Sequence, residues 1–103
     1  MSKVIELENK DDFGELINEG KVLIDFYAVW CGPCQAMKPV IENYAQESGI
    51  KVIAVDVDRF AEIASNFNVM SIPTFVVFKN GEPVSSKNGA MSADDLKSWV
   101  EGL

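Results

Sequence analysis

Apolar runs alternate with amphipathic segments through the first two thirds of the chain. Residues 22–28 (VLIDFYA) and 51–57 (KVIAVDV) are mostly apolar, which is typical of strands covered on both faces of a sheet. Residues 4–7 predict a shorter, weaker strand. Between and after these strands, apolar residues recur at helical spacing and predict three helices. Asp58 is expected to cap the third helix. This strand–helix alternation predicts a parallel sheet with right-handed crossovers.

The three predicted helices have their own boundary signals. Asn9 or Asp11 is expected to cap the first helix, and Gly20 to end it. Gly49 ends the second helix, in which Pro39 removes one hydrogen bond and predicts a kink. The apolar faces of the helices are formed in turn by Phe13, Leu16 and Ile17; by Met37, Val40, Ile41, Tyr44 and Ala45; and by Phe60, Ile63, Ala64 and Phe67.

The last third of the chain follows a different pattern. Residues 74–79 predict a strand, Asn80-Gly81 predicts a tight hairpin turn, and residues 83–87 predict the returning antiparallel strand. Because Pro83 has no N–H to donate to a ladder, this strand is expected at the edge of the sheet.

A final helix is predicted to begin at Ser92, with Asp95 placed to complete a capping box. Its apolar face is formed by Leu96, Trp99, Val100 and Leu103. The whole pattern predicts one α/β domain over residues 1–103, with a central mixed five-stranded sheet flanked by four helices. A chain of 103 residues is long enough to bury a modest core without stabilising disulfides or metal sites.

The charge and composition of the chain exclude several classes of function. Sixteen acidic residues against nine basic ones give a net charge of −7, so neither nucleic acid nor an anionic membrane surface is expected as a partner. The absence of histidine excludes a Cys–His protease and a histidine general base. The sequence contains no apolar run of the roughly 20 residues that span a bilayer. Its start lacks the pattern of a secretory signal, and a cytoplasmic protein is expected.

Both cysteines, Cys31 and Cys34, lie where the central apolar strand gives way to a helix. Side chains three positions apart share a helix face, so the two sulfurs can meet. Cys31 falls at the helix start, where unpaired N–H groups and the helix dipole lower a thiol pKa by on the order of one unit. That favours the thiolate, which is the nucleophile in disulfide exchange.

Two other interpretations of this pair are less specific. The cysteines could be plain core residues, or half of a zinc site that a partner chain completes. A zinc site within the chain needs four ligands, and two cysteines without histidine do not supply them. The surrounding residues, Trp30, Gly32 and Pro33, together with the strand–helix context, favour a redox-active dithiol.

Three segments, DFYAVWCGPC, SIPTF and Gly89-Ala90, resemble the thioredoxin family, and the resemblance extends over residues 3–103. Gly-Pro between the cysteines separates this family from glutaredoxins, which typically carry Pro-Tyr, and from disulfide isomerases, which carry Gly-His. The resemblance implies the thioredoxin fold, with strand order 1-3-2-4-5. It also implies a protein that reduces the disulfides of client proteins.

The same resemblance gives roles to the residues of the motif. Cys31 is expected to be the nucleophile and Cys34 the resolving cysteine, and the product is a disulfide between them. Gly32 lets a partner backbone approach closely, and Pro33 fixes φ in the first helical turn. The family places Asp25 beneath the second cysteine as its proton acceptor, although a single acid in a strand can also mark an edge or a bulge.

The resemblance also implies a client-binding surface around the SIPTF segment, residues 71–75. The family has a cis proline at Pro73, which would turn the backbone of Ile72 outward to pair with an extended client segment. Trp30, Met70 and Gly89 would complete a shallow apolar rim, while core packing is the alternative for Trp30.

Four positions depart from the family pattern, and the first three of them put client preference in doubt. Tyr27 replaces a second Trp, Val29 replaces a polar residue or Pro, and Asn88 replaces an apolar residue. Ala54 stands where many relatives have lysine, so no positive charge is expected beside Asp25.

The leading hypothesis is a general thiol–disulfide oxidoreductase that a thioredoxin reductase re-reduces. The sequence has no flavin or nucleotide motif, and no cofactor or metal is expected in this monomer. A disulfide isomerase or oxidase is one alternative, and a structural subunit whose role does not depend on redox chemistry is another.

Overall fold

The computed structural model describes residues 4–103, in which five strands form one mixed sheet in the order β1-β3-β2-β4-β5. Strands β1, β3 and β2 are parallel, whereas β4 is antiparallel to β2 and β5 is antiparallel to β4. This is the order that the family resemblance implies. The strands are β1 (Val4–Glu6), β2 (Lys21–Tyr27), β3 (Lys51–Asp56), β4 (Thr74–Lys79) and β5 (Glu82–Asn88).

Four α-helices accompany the sheet within the described residues: α1 (Phe13–Leu16), α2 (Gly32–Ser48), α3 (Ala61–Asn66) and α4 (Ala93–Glu101). A 3₁₀ turn (Lys10–Asp12) precedes α1, and the Asn9 side chain caps that turn by accepting the Asp11 N–H. The first helix is therefore a single turn, shorter than its pattern predicts. The Ser92 hydroxyl accepts the Asp95 N–H at the start of α4, which is one of the two hydrogen bonds of the predicted capping box.

The prediction that Asp58 caps the third helix is wrong. Phe60 is the N-cap residue of α3, without a side-chain cap. The Asp56 carboxylate accepts the Asp58 N–H at 2.9 Å, so Asp58 stays in the turn that leaves β3. Its own carboxylate accepts a hydrogen bond from Trp30 instead.

Helix α2 continues through Pro39 as one element and ends at Gly49, whose φ of 73° lies in the left-handed region that favours glycine. Strand β5 lies at the edge of the sheet, as the proline in it predicts. Among residues 4–103, no helix combines the length and the apolar character that crossing a membrane requires.

Side chains alternate across the central strand β2 and form two apolar layers. Val22, Ile24 and Phe26 pack with α1 and α3 on one face of the sheet, and Leu23 packs with α2 and α4 on the other. Asp25 shares its face with Leu23 by this alternation. It pairs regularly with Ala54 and with Phe75 on the neighbouring strands, which excludes the edge or bulge interpretation.

Candidate active site: the Cys31–Cys34 disulfide

A disulfide joins Cys31 to Cys34, with 5.2 Å between their Cα atoms. Cys31 is the N-cap residue of α2 in an extended conformation, and its sulfur accepts the backbone N–H of Cys34 at 3.2 Å. Pro33 lies in the first turn, where its missing N–H costs no hydrogen bond. The predicted position of the pair at the helix start is thus confirmed.

Burial does not distinguish the two cysteines in this oxidised state, because each is 5% exposed. Their backbone positions do differ. Cys31 precedes the helix and its sulfur lies 4.0 Å from the Ile72 carbonyl oxygen, on the side of the Pro73 loop. Cys34 lies within the first turn and faces an interior cleft that also contains Asp25.

The Ile72–Pro73 peptide bond is cis, as the resemblance implies. The Pro73 carbonyl accepts the N–H of Gly89 at 2.8 Å, and the Thr74 hydroxyl donates to the Ser71 carbonyl. These bonds fix the loop beside the disulfide. The Ile72 side chain packs against the small cluster that contains both cysteines.

Two large apolar side chains close to the active-site segments in sequence are exposed. Trp30 is 69% exposed and Met70 is 91% exposed, so the core-packing interpretation of Trp30 is wrong. The indole N–H of Trp30 donates to the Asp58 carboxylate at 2.8 Å, which orients the ring over the surface. Val29 is also largely exposed, whereas Pro73 itself is buried.

Asp25 is 9% exposed, and its Oδ1 atom has no hydrogen-bond partner in the described part of the chain. Burial, and to a lesser degree the charge of Glu6, raises the pKa of Asp25 from its ordinary value of 3.8 to about 7. A carboxyl group with such a pKa gains and loses a proton near neutral pH.

The cleft beside Asp25 has a volume of about 380 Å³ and brings together charged groups that the sequence interpretation missed. Glu6 comes from β1, and Lys38 and Glu42 come from α2. The absence of a lysine at Ala54 therefore does not leave the cleft without a cation. The sequence does contain a signal for Lys38: it lies four positions after Cys34, so the two side chains share one face of the helix.

This arrangement can interconvert a dithiol and a disulfide. The helix start stabilises a thiolate at Cys31, and a buried carboxyl group is available on the side of Cys34. No cluster of three or more metal-ligating side chains occurs among residues 4–103.

Comparisons with known proteins agree with the site and the fold. The family model described as Thioredoxin matches residues 3–102. The chain is 43% identical over 90 residues to a thioredoxin of Bacillus subtilis, covering 85% of this chain and 86% of that protein. It is 40% identical over 93 residues to "Thioredoxin Y, chloroplastic" of rice; the match covers 86% of this chain but only 55% of the plant protein.

A solved structure of a mutant thioredoxin from Halobacterium salinarum superposes with a TM-score of 0.90 at 35% sequence identity. The match covers 96% of this chain and 88% of the archaeal one. Family model, sequence identity and three-dimensional similarity agree over nearly the whole length. The chain belongs to the thioredoxin family.

Proposed function

We propose that this chain is a general protein thiol–disulfide oxidoreductase, which reduces the disulfides of client proteins with Cys31 and Cys34. One observation carries the proposal: the disulfide closes the first turn of α2, directly after the exposed apolar side chain of Trp30. A disulfide that served only stability would not need an unpartnered apolar surface beside it.

The first step is attack by the Cys31 thiolate on one sulfur of the client disulfide. A mixed disulfide forms, and the other client sulfur leaves as a thiolate. Gly32 adds no side chain beside Cys31, and a Cβ built at this position contacts nothing within 4 Å, so the client backbone can approach. Pro33 keeps the first turn in a helical conformation during the exchange.

Cys34 then attacks Cys31 in the mixed disulfide, which releases the second client sulfur and closes the Cys31–Cys34 bond. The client gains two electrons and the dithiol loses two. Attack requires Cys34 to lose its proton, and Asp25 is the proposed acceptor because both residues line one cleft. A pKa of about 7 suits Asp25 to this transfer near neutral pH.

The client is proposed to dock on the rim as an extended segment. Its backbone would pair with Ile72, which precedes Pro73 and whose carbonyl oxygen lies 4.0 Å from the Cys31 sulfur. Its apolar side chains would cover Trp30 and Met70. Gly89, which has φ 89° and donates its N–H to the Pro73 carbonyl, is proposed to border this surface.

We further propose a thioredoxin reductase as the source of electrons, since the chain has no flavin or nucleotide motif of its own. We also propose a monomer that works in the cytoplasm and has one domain over residues 1–103, and the family match over residues 3–102 supports the single domain. Nucleic acid and anionic membranes are not proposed as partners, because the net charge of −7 would repel them.

The decisive experiment is the reduction of a disulfide peptide driven by NADPH and purified thioredoxin reductases. We expect turnover with the natural chain and none with the Cys31→Ser, Cys34→Ser double variant. A reduction potential well above that of the glutathione pool would favour an isomerase or oxidase. If the double variant retained the biological activity of the chain, a structural role would replace the proposal.

A further inference from the structure

Glu6, Ala54 and Asp25 form one row across the three parallel strands. Ala54 on β3 pairs with Glu6 on β1 and with Asp25 on β2. Paired residues of parallel strands point to the same face of a sheet, so all three side chains face α2. Because the middle side chain is a methyl group, nothing in this row separates the two carboxyl groups, whose backbones lie about 10 Å apart.

Tyr27 fixes the position of the Glu6 carboxylate. Tyr27 lies two residues after Asp25 on the same face of β2, and its hydroxyl donates a hydrogen bond of 2.5 Å to Oε2 of Glu6. Burial, and then the contact with Glu6, raises the pKa of Tyr27 above its ordinary value. The phenol therefore keeps its proton and remains a donor. Glu6, Ala54 and both β2 residues line the same cleft as Cys34.

Other charged groups around Asp25 come from β3 and α2, while β4 contributes the apolar Phe75 as its pairing partner. Asp56 lies on β3, and its carboxylate accepts a hydrogen bond from the Asp58 N–H. Lys38 and Glu42, on α2, have opposite charges and line the cleft together. Glu6 differs from these groups, because its carboxylate is held in place by a hydrogen bond from Tyr27, which lies on the same strand as Asp25.

We propose that Glu6 is a positioning residue for proton transfer at Asp25: the Tyr27 hydroxyl holds the Glu6 carboxylate across the cleft, where its negative charge favours protonated Asp25. This inference rests on the proposed role of Asp25. In chemical terms, the Glu6 charge makes the Asp25 carboxylate a stronger base toward the Cys34 thiol. It acts through Asp25 and does not contact the reacting sulfurs.

The direct test is a carbon-detected NMR titration of the Asp25 carboxyl group in the oxidised protein. We expect Glu6→Gln to lower the Asp25 pKa by about half a pH unit to one pH unit, as Coulomb's law gives at this separation. Tyr27→Phe should produce part of that decrease, because the untethered Glu6 side chain turns toward solvent. Glu19→Gln, which changes net charge equally outside the cleft, should leave the Asp25 pKa unchanged.

Two outcomes would overturn the inference. One is an unchanged Asp25 pKa in Glu6→Gln or in Tyr27→Phe. The other is an equal decrease in Glu42→Gln, since the effect would then depend on the total charge of the cleft and not on the tethered group. The melting temperatures of all variants, measured in parallel, verify that each one is folded.

A kinetic measurement separates this inference from the proposed function. We expect the acid limb of the pH profile for resolution by Cys34, followed by stopped flow with a saturating disulfide peptide, to move with the Asp25 pKa in Glu6→Gln. If the Asp25 pKa falls but the profile does not move, the role of Asp25 as proton acceptor fails while its coupling to Glu6 stands.

Discussion

The two active-site cysteines are equally buried in the disulfide but differ in their access to the helix start. Cys31 is the N-cap residue, and its sulfur accepts an N–H from the first turn of α2. Cys34 is already inside that turn. Only the first sulfur therefore benefits fully from the unpaired N–H groups of the helix.

We expect Cys31 to react first when the reduced protein is treated with a limiting amount of an alkylating reagent. The unpaired N–H groups and the positive end of the helix dipole stabilise the Cys31 thiolate, which is the reactive form of a thiol. Peptide mapping measures the labelling. Cys34→Ser should accumulate mixed disulfides with clients and Cys31→Ser few, and preferential labelling of Cys34 would contradict the assignment.

Asp25 makes stability depend on pH. Its pKa in the folded protein, about 7, lies above the ordinary value of 3.8 that applies to the unfolded chain. Between these values the native state binds the extra proton, so the free energy of unfolding falls as the pH rises from about 4 to about 7. A pKa difference of this size corresponds to about 4 kcal/mol once the pH exceeds 7.

Asp25→Asn should remove this dependence, because the amide is neutral at every pH. In the oxidised protein, we expect the substitution to raise the free energy of unfolding by up to about 4 kcal/mol at pH 8 and to change it little at pH 4. Urea denaturation at both pH values measures the difference. The variant should also resolve mixed disulfides more slowly, and equal stability changes at the two pH values would argue against a buried, protonated Asp25.

Single elements depend on local capping, and α4 is the clearest case. The Ser92 hydroxyl accepts the Asp95 N–H and is the side-chain cap of this helix. We expect Ser92→Ala to lower the free energy of unfolding by about 1 kcal/mol, because an N–H of the first turn loses its partner. Ser98→Ala, at an exposed position inside the same helix, is the matched control and should be neutral or slightly stabilising. Similar losses in both variants would mean that the cap contributes nothing of its own.

The molecule as a whole is connected by contacts between parts of the chain that are distant in sequence. The ammonium group of Lys21, at the start of β2, donates to the carbonyls of Val100 and Leu103 at 2.9 Å each. It thereby adds a charged donor to carbonyls at and just after the end of α4 and joins that helix to the central strand.

Lys21→Met should destabilise the protein by about 2 kcal/mol, since two charge-assisted hydrogen bonds are lost. Urea denaturation measures the change, and hydrogen exchange should show faster opening of α4. Lys79→Met is the matched control, because Lys79 on β4 is the pairing partner of Lys21 on β2 but its side chain is exposed. A loss in Lys79→Met as large as that in Lys21→Met would contradict this account.

The local chemistry of this protein was determined by its sequence alone. The helix start at Cys31, the apolar strand around Asp25, the Asn80-Gly81 turn and the cap at Ser92 all follow from residues within a few positions of one another. Such signals persist in any fold, because capping, periodicity and the spacing of two cysteines act over one or two turns. The family motifs added the strand order and the cis bond at Pro73.

The surroundings of these residues were decided only by the tertiary structure. Asp58 fits the pattern of a helix cap, but it accepts the Trp30 indole N–H, while Asp56 takes its backbone N–H. Glu6 has an ordinary strand position in the sequence, yet sheet register brings it to the row of Asp25. Electrostatic fields act through space and not along the chain, so the charges that set a buried group's pKa are known only once the strands are paired.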